Sequence, residues 1–179
     1  MSVYNKNSQA IVKEFVSWIK IFVISLVIGV GISYVIKPTV VFGESMAPTL
    51  EDGNFLILNR LAYKFGEPEY KDIVVFHSNL PGDRILIKRV IATEGQQITV
   101  KDGKVHVDDN LVEEDSYIYG VSTFGDFSGT VPQGSVFVMG DNRVNSIDSR
   151  STQVGFVGKQ DIIGKVMIRL YPLSSLNIF

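Results

Sequence analysis

From Ile21 to Ile36 the chain carries no charge, reading Ile-Phe-Val-Ile-Ser-Leu-Val-Ile-Gly-Val-Gly-Ile-Ser-Tyr-Val-Ile. With Phe15–Ile19 added, and the stem of Lys20 reaching toward the headgroups, the apolar segment is about 22 residues long. At ~1.5 Å per helical residue it spans the ~30 Å hydrocarbon core of a bilayer. Trp18 and Tyr34 stand near its two ends, where amphipathic rings favour the interface. A cleavable leader has a shorter apolar core, ~7–15 residues, closed by a small-x-small site. This run is longer and closes with Tyr34-Val35-Ile36-Lys37-Pro38, so an uncleaved anchor is expected. Lys6, Lys13, Lys20 and the N-terminal amine precede or enter the segment, and Lys37 alone follows it directly. The positive-inside bias then predicts a cytoplasmic tail (1–14), a transmembrane anchor (15–36) and an extracytoplasmic domain (37–179).

A chain of 179 residues has room for one such anchor and one domain with its own core. The net charge of −2, without a long basic stretch, gives no reason to expect a nucleic-acid partner. The absence of cysteine excludes disulfides, thiol catalysis and thiolate metal sites. His77 and His106 are the only imidazoles, so no metal or other cofactor is expected. Asp108-Asp109-Asn110 is not followed by the glutamate that closes a calcium loop and reads as a turn.

Beyond Pro38 the pattern becomes short β-like runs at Thr39–Phe42, Phe55–Leu58, Ile73–Phe76, Ile85–Ile91, Ile98–Lys101, Lys104–Val107, Ser135–Met139 and Lys165–Tyr171. Turn residues separate them, and Asp102-Gly103 is a strong two-residue hairpin signal. The domain is predicted to be mostly β, with Glu113–Thr130 as a long surface excursion.

The chemistry lies in three places. Ser45 sits in Gly43-Glu44-Ser45-Met46-Ala47-Pro48-Thr49-Leu50, just past the anchor. Lys88 sits within Ile85-Leu86-Ile87-Lys88-Arg89-Val90-Ile91, where an extended strand puts Leu86, Lys88 and Val90 on one face. Burial among aliphatics disfavours the ammonium form, and a neutral amine can deprotonate a serine hydroxyl. Taken alone, Ser45 reads as a turn serine and Lys88 as an edge-strand lysine with a solvated head. The third place is Gly140-Asp141-Asn142-Arg143-Val144-Asn145-Ser146-Ile147-Asp148-Ser149-Arg150. If extended, it shows Ser146, Asp148 and Arg150 on one face, a hydroxyl to orient the lysine and an ion pair to brace it.

Together with Asp72-Ile73-Val74-Val75-Phe76, these motifs resemble, in order, those of bacterial type I signal peptidases of the short, single-anchor kind. The similarity runs from the anchor to Tyr171-Pro172. It implies a largely β catalytic domain outside the membrane, with Ser45 as nucleophile and Lys88 as general base. It further implies that Ser146 hydrogen-bonds Lys88, that Asp148 and Arg150 support the site, and that Gly43, Met46 and Pro48 shape the nucleophile turn. The implied substrates are exported preproteins, cut after small residues of the Ala-x-Ala type and bound extended, by strand addition. Val41, Phe42, Leu50 and Ile87 are the expected pocket linings, and the bilayer and the secretion translocon the expected partners. Three departures stand out. Gly43 replaces a hydroxyl found in some members, Lys71 replaces the usual glycine before Asp72, and Ala92-Thr93-Glu94-Gly95-Gln96 replaces the usual turn after the lysine motif.

Other readings are weaker. Gly43-Glu44-Ser45-Met46-Ala47 approaches a nucleophile elbow, but the strand–helix alternation of α/β-hydrolases is missing. Ser17-Trp18-Ile19-Lys20 matches S-x-x-K but lies inside the anchor and has no Lys-Thr-Gly after it. A Ser/Lys self-cleaving regulator would need a DNA-reading module. A catalytically weak membrane-anchored homologue that binds secretion substrates or partners would have no physical reason to keep Ser45, Lys88, Ser146, Asp148 and Arg150 together.

Overall fold

The computed structural model describes residues 2–118 and 122–179. Helix α1 (Ser2–Val35) contains an apolar span, Val12–Val35, long enough to cross a membrane. Its many β-branched residues are indifferent helix formers in water. In hydrocarbon the helix is nonetheless favoured, because it satisfies every backbone group internally. The serines obey the same constraint: Ser17 Oγ donates to Lys13 O (2.9 Å) and Ser33 Oγ to Val30 O (2.7 Å). The chain divides into two compact units, one ending at Ile36 and the other Lys37–Phe179.

The second unit is β-rich. Strands β1 (Ile36–Val40), β2 (Phe55–Asn59), β3 (Ile73–His77) and β4 (Ile85–Thr93) come first, with one short helix, α2 (Ala62–Phe65). Then come β5 (Gln97–Lys101), β6 (Lys104–Val107), β7 (Asn110–Leu111), β8 (Phe127–Thr130) and β9 (Ser135–Met139). The last are β10 (Val157–Gly158), β11 (Ile162–Tyr171) and β12 (Asn177–Ile178). The large sheet runs β1-β2-β11-β3-β4-β9-β10, with β12 also on β11, and the small sheet runs β7-β6-β5-β8.

Pairing within the large sheet decides where a ligand can enter. Ile85–Arg89 of β4 pairs with β3, but only Arg89–Thr93 pairs with β9. Among the described residues, one edge of Ile85–Lys88 is therefore without a strand partner. At the sheet's own edge, β1 accommodates Pro38, whose missing N–H costs nothing there. The strand starts and ends earlier than the predicted Thr39–Phe42. The reason is Gly43, whose φ of +86° takes the chain out of the extended region.

Three apolar clusters form the core. Val41, Met46, Leu50, Leu56, Leu58, Ile73, Val75 and Val166 pack under the Ser45 turn. Val74, Phe76, Val90, Val136 and Val138 fill a second cluster, on the other side of β3. The third joins the two sheets: Ile91, Phe137 and Met139 meet Ile98, Val100 and Val105, with the Phe127 and Phe137 rings 4.7 Å apart.

The stretch Glu113–Thr130 is more than a surface excursion. Phe127–Thr130 adds strand β8 to β5, and Glu114, Tyr117 and Thr123 are buried. The cause is one distant side chain: Arg143 bonds Glu114 Oε1 (2.5 Å) and Oε2 (2.7 Å), and Thr123 Oγ1 (2.8 Å).

Candidate active site

Ser45 follows β1 on a turn fixed from within. Met46 and Leu50 are buried in the first cluster, and Leu50 N donates to Met46 O at 2.8 Å. The apolar residues flanking the serine anchor the loop and leave Ser45 half-buried on the wall of a cleft.

Lys88 arrives from β4, its Nζ 2.6 Å from Ser45 Oγ and 3.0 Å from Ile87 O. Only 1% of the residue is exposed. The expected strand alternation explains this: Ile87 packs toward the first core cluster, while Leu86 and Val90 pack in the second. Loss of water around the ammonium pulls its pKa down from 10.5 to about 8. The charges of Asp148 and Asp141 oppose that shift, and Arg150 reinforces it. An amine held this way is substantially neutral in mildly alkaline water and lies within proton-transfer distance of a hydroxyl.

The segment after β9 supplies the surroundings. Asp148, itself buried, accepts from Gly140 N (3.0 Å), Arg150 Nε (2.8 Å) and Arg150 Nη2 (2.8 Å). Burial would raise its pKa, but these bonds and the Arg150 charge hold it below the usual carboxylate range. Gly140 is forced by close approach, since a Cβ there would lie 2.5 Å from Ser45 O and 2.6 Å from Ser146 Cβ. Asn142 N donates to Ser45 O (3.1 Å), and Arg89 clasps Asp141 at 2.8 and 2.6 Å. The strand that carries Lys88 is thus tied to the segment facing it.

Three site expectations need correction. Ser146 does not hydrogen-bond Lys88. Its Oγ is buried and, among the described residues, has no partner in hydrogen-bond geometry, though its hydroxyl lies near enough to Asp148 to favour that carboxylate's charge. Nor is the tract extended: Asn142–Asn145 and Ser151–Gly155 are backbone-bonded turns, so a shared strand face is not what gathers Ser146, Asp148 and Arg150. Leu50, fully buried in the core, does not line the cleft; the turn bond to Met46 O folds it inward.

The cleft measures about 200 Å³ and is bounded by Val41, Phe42 and Ile87, with Val40, Met46, Val75, Ile85 and Leu86. Phe42 is 87% exposed at its mouth. A larger concavity of about 430 Å³ near Tyr63 and Lys159 holds none of the groups gathered around Ser45.

Sequence reasoning passed over Asp141, Asn142 and Arg89. Their signal was available in part: Arg89 follows Lys88 directly, and Asp141-Asn142 opens the third motif. The contact between them spans 52 positions and shows only in three dimensions.

Residues 15–171 match the family model described as signal peptidase, peptidase S26. Signal peptidase I of Bacillus caldolyticus is 40% identical, over 79% of this chain and 82% of that protein. Signal peptidase IB of Staphylococcus aureus is 33% identical, over 92% and 94%. A solved signal peptidase I from Enterococcus faecalis V583 shares 26% identity and a TM-score of 0.46, over 55% of this chain and 96% of that one. On the family match and the identity over most of both chains, this chain belongs to the signal peptidases of family S26, serine peptidases that remove signal peptides.

Proposed function

We propose that Ser45 is the nucleophile and Lys88 the general base of this peptidase. The observation that carries the reading is the 2.6 Å contact between Ser45 Oγ and the buried Lys88 amine. In the reactive state Lys88 is neutral and accepts the Ser45 hydroxyl proton as Oγ attacks the scissile carbonyl. The Ser45 N–H stabilises the oxyanion. Lys88, now an ammonium, protonates the leaving amine, and the C–N bond breaks to leave an ester on Ser45. Water, deprotonated by the same amine, then hydrolyses the ester and restores the hydroxyl.

Asp148 and Arg150 act through Gly140, holding the backbone that abuts the serine. The signal peptide lies extended against the unpaired edge of Ile85–Lys88, and the small aliphatic cleft favours alanine-sized side chains. Exported preproteins are the substrates, the translocon that delivers them is a neighbour in the membrane, and the lysine-rich N-terminus faces the cytoplasm.

The test places the full chain in liposomes with a preprotein whose signal ends in Ala-x-Ala. Cleavage after the second Ala, shown by sequencing the new N-terminus and lost in Ser45→Ala and Lys88→Ala, supports the proposal. No cleavage of several preproteins by a folded wild type favours instead a homologue that only binds such substrates.

A further inference from the structure

Four hydrogen bonds hold the backbone that delivers Ser45, one of them local: Ala47 N donates to Glu44 O (3.0 Å) within the turn. Gly43 N donates to Asp52 Oδ1 (2.7 Å), Asn142 Nδ2 to Glu44 O (3.1 Å), and Asn142 N to Ser45 O (3.1 Å). The Asn142 Nδ2 bond has a consequence beyond anchoring. Glu44 C=O and Ser45 N–H belong to one planar trans peptide and point in opposite directions, so a partner that fixes the carbonyl also aims the amide. With Asn142 on the carbonyl side, the Ser45 N–H faces away from the Asn142 loop. Among the described residues it donates to no protein acceptor.

The Asn142 side chain is itself fixed. Its Oδ1 accepts from Asn145 N (3.2 Å) while its Nδ2 gives to Glu44 O, and turning the amide over would set like against like at both contacts. The neighbouring backbone is braced by the Arg89–Asp141 pair and by Gly140 N on Asp148. Asn142 bears no charge and hydrogen-bonds neither Lys88 nor Ser45 Oγ. Its influence on the reaction runs through one peptide plane.

We propose that Asn142 is a positioning residue for the oxyanion site: its side-chain amide grips the Glu44 carbonyl and so keeps the Ser45 N–H aimed at the oxygen that gains charge in the tetrahedral intermediate. The inference rests on Ser45 being the nucleophile. Without the grip the Glu44 carbonyl keeps only the Ala47 N–H, from within the same turn, and the peptide can rock with that turn against the Asn142 loop. Complete loss of one oxyanion donor costs about 10²–10³ in kcat, so a misaimed donor is expected to cost about 10–100-fold.

The experiment uses the full chain in liposomes and two variants. Asn142→Asp keeps the Oδ1 acceptor for Asn145 N but removes the donor, and Asn142→Ala removes both without adding charge. For each, kcat and KM, the midpoint of the pH–rate profile, the thermal melt and the affinity for a peptide boronate ending in alanine are measured. The boronate forms a tetrahedral oxyanion on a nucleophilic serine. The proposal expects kcat and boronate affinity to fall together about 10–100-fold in both variants, with KM and the melt near wild type and, in Asn142→Ala, which adds no charge and is the variant that decides it, an unmoved pH midpoint. Unchanged kcat overturns it. So does a loss in Asn142→Ala accompanied by a shifted pH midpoint, which would place the effect on Lys88, or loss of the folded state in both variants, which would make the role structural. If Ser45→Ala still cleaves, the nucleophile assignment fails first, and that control separates the two failures.

Discussion

If Lys88 is the proposed general base, the burial that makes it reactive also costs the fold stability at neutral pH. Burial holds its pKa at about 8 in the folded chain, against an ordinary 10.5. Between those values the unfolded chain binds the extra proton, so stability rises with pH across that window. Below about pH 8 both states are protonated and the native state bears the whole penalty, about 3 kcal/mol at ~1.4 kcal/mol per pH unit. Lys88→Met is therefore expected to be inactive yet more stable than wild type at pH 7, by up to about 3 kcal/mol, with the gap closing toward pH 10.5. Denaturant melts at the two pH values decide it, and a destabilised Lys88→Met at pH 7 would show that Asp148 and Asp141 outweigh the lost hydration. The same shift predicts the rate. The neutral amine rises from about a tenth of the population at pH 7 to about nine tenths at pH 9, so kcat/KM should climb roughly ninefold around a midpoint near 8. A profile flat from pH 6 to 10 would leave Lys88 no role as base. Gly140 sets a steric limit at the same scale. Gly140→Ala puts a methyl against the Ser45 carbonyl and is expected to lower kcat at least 100-fold while the fold persists, read from turnover beside circular dichroism.

At the level of elements, β4 serves two partners along one strand: its first half pairs with β3 and, among the described residues, leaves the other edge open, while its second half pairs with β9, and only Arg89 is strand-paired on both edges. The burial of Glu114 and Thr123 depends on a different device, the buried Glu114–Arg143 pair and the Arg143 bond to Thr123. Removing one partner of such a pair strands a buried charge, at a typical cost of ~3–5 kcal/mol. Glu114→Ala should lose about that much in a denaturant melt. Glu114→Leu combined with Arg143→Met should recover most of it, and a double variant as unstable as the single would show that Arg143 matters through Thr123 and Gly140 O instead.

The contrast shows what the sequence makes legible. Strands β2 to β6 and β9 declare themselves through alternation and turn residues, and Asp102 and Gly103 indeed both occupy positive φ. Strands β7, β10 and β12, at two residues each, are too short to carry a period, and β8 holds a glycine. Their pairing is decided by partners elsewhere in the chain. Ser45 and Lys88 are legible only together, because each local run alone reads as a turn serine or an edge-strand lysine and the motifs gain meaning from their order along the chain. The Ser146–Lys88 bond is what the family resemblance implies and an extended tract would permit, whereas turns tied to distant side chains, Arg89 on Asp141 and Glu114 on Arg143, set the path of this segment.

The whole molecule joins an apolar helix to a β domain that has its own core. Its orientation is testable without preparatory mutagenesis, because the chain has no cysteine of its own. In intact cells a membrane-impermeant maleimide should label Asp109→Cys, on the exposed turn after β6, and leave Ser8→Cys untouched until the membrane is opened. The reverse pattern would place the domain in the cytoplasm. The small sheet has one more consequence. Its turns at Asp102-Gly103 and Asp108-Asp109 join strands that contribute no hydrogen bond to Ser45, Lys88 or Asp148. Lengthening such a loop costs entropy only as the logarithm of its length. The molecule therefore carries a built-in grafting point, where an epitope, a fluorophore or a whole folded cargo can be spliced while the cleft keeps its shape.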